Sequence, residues 1–284
     1  MMLYFDRRKI QLKQQKELYK EAMSVLKATS RTFFIPITFL ESKLKTTVGT
    51  AYLCMRAIDE IEDHEELPNH IKTELLNATS QLLLKPSFDN EAYKALLKPY
   101  QDQLPEVTLR LNDWLSLCPD EIRQTVAAST SEMAEGMAKW ASKGWIVKTK
   151  EDLDEYTYYV AGLVGTMLSD IWKWGAGIET NRDLAIGYGR GLQAVNILRN
   201  QSEDQSRGVS FVPEGWTRED LFNYAEENLA KADAYNKSIS KRSILMFCKI
   251  PLALAHKTLD TMRKGNEKMT RTEVEQTVEE VTSE

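Results

Sequence analysis

Two stretches decide the fold of this 284-residue chain: 52-YLCMRAIDEIED-63 and 193-QAVNILRNQSED-204. In each of them a polar or charged residue recurs every three or four positions. Side chains at that spacing share one stripe of a helix. In the first stretch the stripe consists of Tyr52, Arg56, Asp59 and Asp63. In the second it consists of Gln193, Asn196, Asn200 and Asp204.

The neighbours of both stripes are mostly apolar, so we expect the stripes to point into the protein. A buried carboxylate pair is costly without a cation or a basic partner, because two close negative charges oppose joint ionisation. Mg²⁺ binds carboxylate and amide oxygens and completes its shell with water and phosphate. We therefore predict that the stripes face each other and hold Mg²⁺. The structural alternatives are a solvated charged face for the first stripe and a polar core network for the second.

The rest of the chain favours an all-α fold. Turn-forming residues are few, with 13 Gly and 8 Pro, and amphipathic stretches follow one another. We predict one helical domain at 1–264 and a frayed, acidic tail at 265–284. Within the domain we expect a break in the helical pattern at 29–40, around Pro36. The longer predicted helices cover about 41–63, 69–85, 120–143, 181–204, 217–239 and 241–264.

Composition excludes some classes of function. A net charge of −5 argues against a nucleic-acid partner, because a phosphate backbone needs a basic surface. No run approaches the roughly 20 apolar residues of a transmembrane helix, and the N-terminus lacks the apolar core of a signal peptide. We expect a cytoplasmic protein without a transmembrane segment. A peripheral membrane contact and the oligomeric state both stay open.

Two other segments suggest a substrate site. The sequence 160-VAGLVG-165 places glycines inside a helix, where each costs about 1 kcal/mol relative to Ala. The glycines indicate either close helix packing or room for a long apolar substrate. The residues that would line such a substrate-binding space are Tyr156, Val160, Ala161, Met167, Met133, Gly136 and Met137.

At 30-SRTFF-34, hydroxyl groups and a basic residue precede an aromatic pair at a helix break. Free backbone N–H groups at this point either receive an anion or belong to an ordinary helix cap. Arg199 and Arg207 are further cations that lie either near the site or on the surface.

Together these segments resemble the squalene/phytoene synthase family, which includes dehydrosqualene synthases. The resemblance rests on 30-SRTFF-34, 59-DEIED-63 preceded by Tyr52 and Arg56, 160-VAGLVG-165 and 192-LQAVNILRNQSED-204. It implies the isoprenoid synthase class I fold, a helical bundle around a central apolar tunnel, and a prenyl diphosphate substrate such as farnesyl diphosphate.

The resemblance also implies roles for individual residues. The expected Mg²⁺ ligands are Asp59, Asp63, Asn196, Asn200 and Asp204. The expected diphosphate contacts are Arg56, Ser30 and Thr32. The reaction centre and tunnel are expected to be lined by Tyr52, Phe33, Tyr156, Val160, Ala161, Gly165 and Gln193.

The chain departs from the family pattern at the second motif. Asn200 stands where the family usually has Asp, and Val209 and Phe211 stand where it usually has a basic residue and a tyrosine. An amide still offers an oxygen, but one negative charge is lost. At an effective dielectric near 20, a unit charge ~4 Å away is worth roughly 4 kcal/mol, which is enough to change the occupancy of a metal.

Three functions remain open at this point. We expect ionisation of an allylic diphosphate with water capture, giving a prenyl alcohol such as farnesol and pyrophosphate, because the weakened metal site harms a two-substrate arrangement. The first alternative is head-to-head condensation of two prenyl diphosphates. The second is a non-catalytic protein that binds a prenyl diphosphate.

Overall fold

The computed structural model describes residues 2–283, with side chains from Lys13 onward except that of Arg31. Met1 and Glu284, which bound the predicted domain and tail, lie outside the described residues. The described helices are α1 (Met2–Thr29), α2 (Arg31–Thr38), α3 (Ser42–Glu62), α4 (Asn69–Leu83), α5 (Asn90–Leu97), α6 (Glu106–Leu109), α7 (Leu111–Leu117), α8 (Asp120–Ser142), α9 (Lys150–Thr157), α10 (Leu163–Ala176), α11 (Arg182–Ser206), α12 (Arg218–Lys237), α13 (Arg242–Arg263) and α14 (Arg271–Ser283). A 3₁₀ turn covers Lys98–Tyr100, and a π-helical turn covers Tyr158–Gly162.

The all-α prediction is confirmed. The long helices α3, α4, α8, α11, α12 and α13 begin and end within a few residues of their predicted bounds. Within residues 2–283 the β pairing is limited to an isolated bridge between Ile146 and Ser210. No described helix is both long and apolar enough to cross a membrane.

The predicted break at 29–40 is present but shorter than expected: α1 ends at Thr29, Ser30 interrupts the helix, and α2 begins at Arg31. Ser30 caps the helix, and its Oγ accepts a hydrogen bond of 3.0 Å from the backbone N–H of Phe33. Pro36 lacks the N–H that would continue the helical ladder, yet α2 accommodates it because the helix ends two residues later at Thr38.

The prediction of a frayed tail at 265–284 is also corrected, because residues 271–283 form α14, which packs against α13. A reciprocal cap stabilises its start. The Glu273 carboxylate accepts from the Thr270 N–H at 2.7 Å, and the Thr270 hydroxyl accepts from the Glu273 N–H at 3.2 Å. This T-x-x-E cap is visible in the sequence. The domain limit at residue 264 stays a prediction.

Two clusters of buried apolar residues form the interior. The larger one joins residues of α1–α8 and α10–α13, and the smaller one joins residues of α8, α9 and α11–α13. Helix α3 is buried over much of its length, which agrees with its apolar sequence. A single large cavity is lined by residues of both clusters, and α3 and α11 contribute to its wall.

Close packing explains the glycines beside the π-helical turn. A Cβ atom on Gly165 would lie 2.1 Å from the backbone oxygen of Ala185, and one on Gly189 would lie 2.1 Å from that of Ala161. No side chain fits at either position. The packing interpretation of the 160–165 glycines is therefore confirmed, and it brings α10 and α11 together beside the cavity. π-Helical turns such as Tyr158–Gly162 occur often at functional sites.

Candidate active site

The cavity has a volume of about 1140 Å³ and two chemically different ends. Its polar end is lined by Arg56, Asp59, Glu62, Asp63, Asn196, Arg199, Asn200, Asp204 and Arg207. Its apolar part is lined by Phe33, Ile37, Val48, Met133, Val164, Met167, Leu168, Trp172 and Phe247. A charged head group and a long hydrocarbon chain could thus occupy the same continuous space.

Helix α3 carries the first stripe. The Arg56 guanidinium forms ion pairs with Asp59 and, at 2.5 Å, with Glu60. Its Nε atom is buried and has no hydrogen-bond partner among the described residues. Arg56 therefore offsets part of the carboxylate charge at this end of the cavity.

Three carboxylates gather at the C-terminal end of α3. Asp59, Glu62 and Asp63 each offer an oxygen, and these atoms all lie within 4.8 Å of one another. Clustered carboxylate oxygens beside an open, water-accessible volume suit Mg²⁺, which also takes ligands from water and phosphate. The donor set therefore fits the metal that the sequence predicted.

The acidity of these groups indicates that they need a positive partner. Burial, together with the neighbouring Asp63 charge, raises the pKa of Asp59 to about 7 against the opposing effect of Arg56. Burial also raises the pKa of Glu62 well above its usual value, and that of Asp63 above its own. Joint ionisation near neutral pH is therefore unfavourable for the protein alone, and a bound cation would favour it.

Helix α11 carries the second stripe on the same cavity, with Gln193, Asn196, Asn200 and Asp204 in its wall. Asp204 is 7% exposed and pairs with Arg207 at 2.6 Å. The Arg199 Nε–H donates to the Asn200 amide oxygen at 3.3 Å. Arg199 and Arg207 thus lie at the site and not on a remote surface.

The phenol of Tyr156 shows that the stripes converge. Burial raises its pKa well above the usual value, and four carboxylates raise it further. They are Glu62, Asp63 and Asp59 from the first stretch and Asp204 from the second. One side chain therefore lies in the electrostatic field of both acidic groups. The Tyr156 ring also stacks on Phe211, with centroids 4.5 Å apart.

Most of the predicted site residues lie in the cavity wall. Those that do so are Phe33, Tyr52, Arg56, Asp59, Asp63, Tyr156, Val160, Ala161, Gly165, Gln193, Asn196, Asn200 and Asp204. Their individual roles stay predictions.

Four other candidates do not line the cavity. Ser30 caps α2, and Thr32 is exposed. Gly136 packs against Tyr159, where a Cβ atom would lie 2.1 Å from the ring, and Met137 is buried in the core. The cap alternative therefore accounts for Ser30, and helix packing accounts for Gly136. The side chain of Arg31 lies outside the described residues.

Glu62, Lys72 and Trp145 also line the cavity, although none of them was predicted from the sequence. Glu62 could have been found, because it follows Asp59 by three positions and therefore shares its helix face. Lys72 and Trp145 could not, since they reach the site from other helices and loops. Lys72 Nζ donates to the backbone oxygen of Glu62 at 2.6 Å, and the Trp145 indole N–H donates to the Glu62 carboxylate at 2.6 Å.

Comparisons with known proteins agree with one another. A model of the squalene/phytoene synthase family matches residues 26–223. The squalene synthase of Eremothecium gossypii is 31% identical over 291 residues, covering 90% of this chain and 64% of that enzyme. The squalene synthase of Homo sapiens is 27% identical over 268 residues, covering 84% of this chain and 62% of that enzyme. The chain thus spans less than two thirds of the length of either relative.

The fold has solved counterparts. A dehydrosqualene synthase crystallised in complex with a ligand superimposes with a TM-score of 0.66 at 20% identity, and the match covers 95% of this chain and 97% of that one. At this identity the likeness concerns the fold, which is the isoprenoid synthase class I bundle that the sequence predicted.

Proposed function

The chain belongs to the squalene/phytoene synthase family, and from this premise we propose that it condenses two prenyl diphosphates head to head. Condensation is the first of the two alternatives to hydrolysis that the sequence leaves open. The relatives favour it over hydrolysis to a prenyl alcohol, since they are squalene synthases. The substrate we propose is an allylic diphosphate of the farnesyl type.

One observation carries the proposal. A single cavity joins an acidic, arginine-containing end to a long apolar interior. Its volume of about 1140 Å³ exceeds the roughly 300–1,000 Å³ of ordinary small-molecule pockets. This supports the binding of two substrates together, with both diphosphates at the polar end and both hydrocarbon chains in the apolar part.

In the first step the C–O bond of one substrate breaks, and diphosphate leaves with the electron pair. Bound Mg²⁺ would neutralise the charge that develops on this leaving group. Asp59, Glu62 and Asp63 from α3, with Asn196, Asn200 and Asp204 from α11, would hold the metal ions. The Arg56 guanidinium, which lines the cavity, would contact a diphosphate oxygen.

In the second step the double bond of the other substrate attacks the allylic cation and a carbon–carbon bond forms. The new cation on the second substrate then loses a proton, which closes a cyclopropyl ring while that substrate keeps its own diphosphate. The apolar wall would keep water away from the cation while this happens. Phe33, Val164, Met167 and Leu168 offer no oxygen or nitrogen side-chain atom that could capture it. Condensation thus depends on excluding water as much as on binding metal.

The test is a product analysis. The purified protein is incubated with farnesyl diphosphate and Mg²⁺, with and without NADPH. Hydrocarbons and alcohols are identified by gas chromatography and mass spectrometry, and diphosphates by liquid chromatography and mass spectrometry. We expect a C30 product, either a hydrocarbon or its cyclopropyl diphosphate precursor. Farnesol as the main product would instead support the hydrolytic hypothesis that Asn200 suggested.

A binding protein without turnover is the remaining alternative. The absence of any Mg²⁺-dependent product from C10, C15 and C20 diphosphates would favour it. The Asp59→Ala variant serves as the control, since product that persists in this variant does not come from the proposed site.

A further inference from the structure

The backbone at Trp145 adopts an unusual conformation. Among the described residues it is the one non-glycine residue with a positive φ, which is 52°. A bulky aromatic residue disfavours this left-handed region, and such residues cluster at functional sites where the surrounding structure holds them in place. Trp145 also lies in the cavity wall, between α8 and α9.

The Trp145 side chain is held on two sides. Its indole N–H donates to a carboxylate oxygen of Glu62 at 2.6 Å. The ammonium group of Lys72 lies 4.8 Å from the ring centroid and donates in turn to the backbone oxygen of Glu62 at 2.6 Å. Glu62 itself is 5% exposed. The indole thus fixes one oxygen of a buried carboxylate and leaves the other oxygen free.

The backbone around Trp145 connects it to the other acidic helix. The carbonyl of Trp145 accepts from the Ser210 N–H at 3.3 Å, and the Val147 N–H donates to the Ser210 carbonyl at 2.8 Å. The segment that contains Ser210 directly follows α11 and its Asp204. It is joined to α11 by the Val209 N–H, which donates to the Asp204 carbonyl at 3.0 Å. Trp145 therefore bridges the ends of α3 and α11.

We propose that Trp145 is a positioning residue of the cation site, which orients Glu62 for metal binding and ties that orientation to the end of α11. The proposal rests on the cation site of the proposed function. Hydrogen bonds from a second layer of residues set the orientation of metal-binding carboxylates, and removing one such partner typically weakens metal binding 10–100-fold. Trp145 therefore acts through Glu62 and does not touch the cation.

The test measures cation binding apart from turnover. The ligand is farnesyl S-thiolodiphosphate, in which a C–S bond replaces the reactive C–O bond. Its binding is followed by calorimetry at increasing Mg²⁺, and the readout is the Mg²⁺ concentration that gives half-maximal binding. We expect Trp145→Phe, which lacks the N–H donor, to raise this concentration about tenfold.

Two further variants keep the result interpretable. Trp174→Phe is the matched control, since Trp174 also stacks with a lysine, Lys43 at 3.8 Å, but does not line the cavity. It should bind like the wild type. Trp145→Gly removes the ring at a position whose positive φ suits glycine. It therefore shows how the loss of the indole changes the Mg²⁺ concentration for half-maximal binding, even if the Phe variant folds poorly.

A double-mutant cycle separates positioning from a general structural role. If Trp145 acts through Glu62, then Trp145→Phe combined with Glu62→Ala, which removes the acceptor of the indole N–H, should bind no more weakly than Glu62→Ala alone, within about twofold. Additive losses would overturn the inference, as would unchanged Mg²⁺ dependence in both Trp145 variants. If the wild type showed no Mg²⁺-dependent binding at all, the proposed cation site would fail, and this inference would fail with it.

Discussion

The two acidic helices differ in charge although they border one cavity. Helix α3 presents three clustered carboxylates, Asp59, Glu62 and Asp63, whereas α11 presents Asp204 and the amides of Gln193, Asn196 and Asn200. The carboxylate of Asp204 is paired with Arg207, so little net charge remains on that side. In the proposed cation site, α3 would therefore supply most of the attraction for cations, and α11 would mainly supply neutral oxygen ligands.

The largest effect should come from the α3 side. We expect Asp59→Ala to lower turnover by on the order of 10²–10³-fold, since losing a carboxylate here weakens the stabilisation of charge on the leaving group. Steady-state product formation measures the loss. The matched control is Asp113→Ala, because Asp113 follows its partner Arg110 by three positions just as Asp59 follows Arg56, but lies outside the cavity. Comparable losses in both variants would contradict the metal assignment.

A smaller loss should follow from the α11 side. We expect Asp204→Asn to lower turnover roughly 10–100-fold, because Arg207 then adds an uncompensated positive charge beside the metal ligands. The same product assay compares the loss of turnover in Asp204→Asn with the loss in Asp59→Ala. A loss greater than that of Asp59→Ala would reverse the proposed division between the helices.

The charge on α3 also predicts how stability depends on pH when no cation is present. The folded pKa of Asp59, about 7, lies above its unfolded value near 4, so folding favours the protonated form. The contribution of protonated Asp59 to the free energy of unfolding is therefore fully present below about pH 4 and is lost as the pH rises through about 7.

At pH 8 in EDTA, Asp59→Asn should therefore raise the free energy of unfolding. We expect a gain of roughly 1–2 kcal/mol, since the side chain is 31% exposed and solvent screens part of the penalty. Urea unfolding at pH 5 and pH 8 measures it, and the gain should be clearly smaller at pH 5, because the loss of stability begins near pH 4 and is complete only above pH 7. A gain that is equal at both values would show that charge is not the cause.

The smallest effect should come from restoring charge to α11. We expect Asn200→Asp to lower the Mg²⁺ concentration needed for half-maximal activity by about three- to tenfold. A carboxylate attracts the ion more strongly than an amide, but the Arg199 guanidinium beside residue 200 offsets most of the added charge. It should also lower any share of farnesol among the products. A variant with the same Mg²⁺ requirement and product ratio would count against the charge argument.

The helices and both stripes could be predicted because they depend on local periodicity. Asp59 and Asp63, like Asn200 and Asp204, are separated by one helical turn, and that spacing is visible in the chain. The helix at 31–38 was not predicted because Pro36 usually indicates a helix break. Near a helix end, however, proline destabilises a helix only slightly. The tail helix differs from the predicted tail because its main sequence signal is the cap formed by Thr270 and Glu273, and not an apolar periodicity.

The remainder of the site depends on contacts between distant positions. Trp145 and Glu62 are separated by 83 residues, and nothing in either local sequence indicates that they meet. The same holds for Tyr156 and Phe211, whose stacking requires the loop after α11 to fold back onto α9. Such contacts follow from the tertiary fold, which a periodic pattern does not specify.

The most direct test of the account is a crystal structure with Mn²⁺ and the unreactive farnesyl S-thiolodiphosphate, recorded with anomalous scattering from the metal. We predict anomalous peaks between α3 and α11, at metal–ligand distance from the oxygens of Asp59 and Asp63 on one side and Asp204 or Asn200 on the other. The diphosphate should lie among these peaks and its hydrocarbon chain in the apolar part of the cavity. A bound analogue with no metal between the two helices would contradict the central claim.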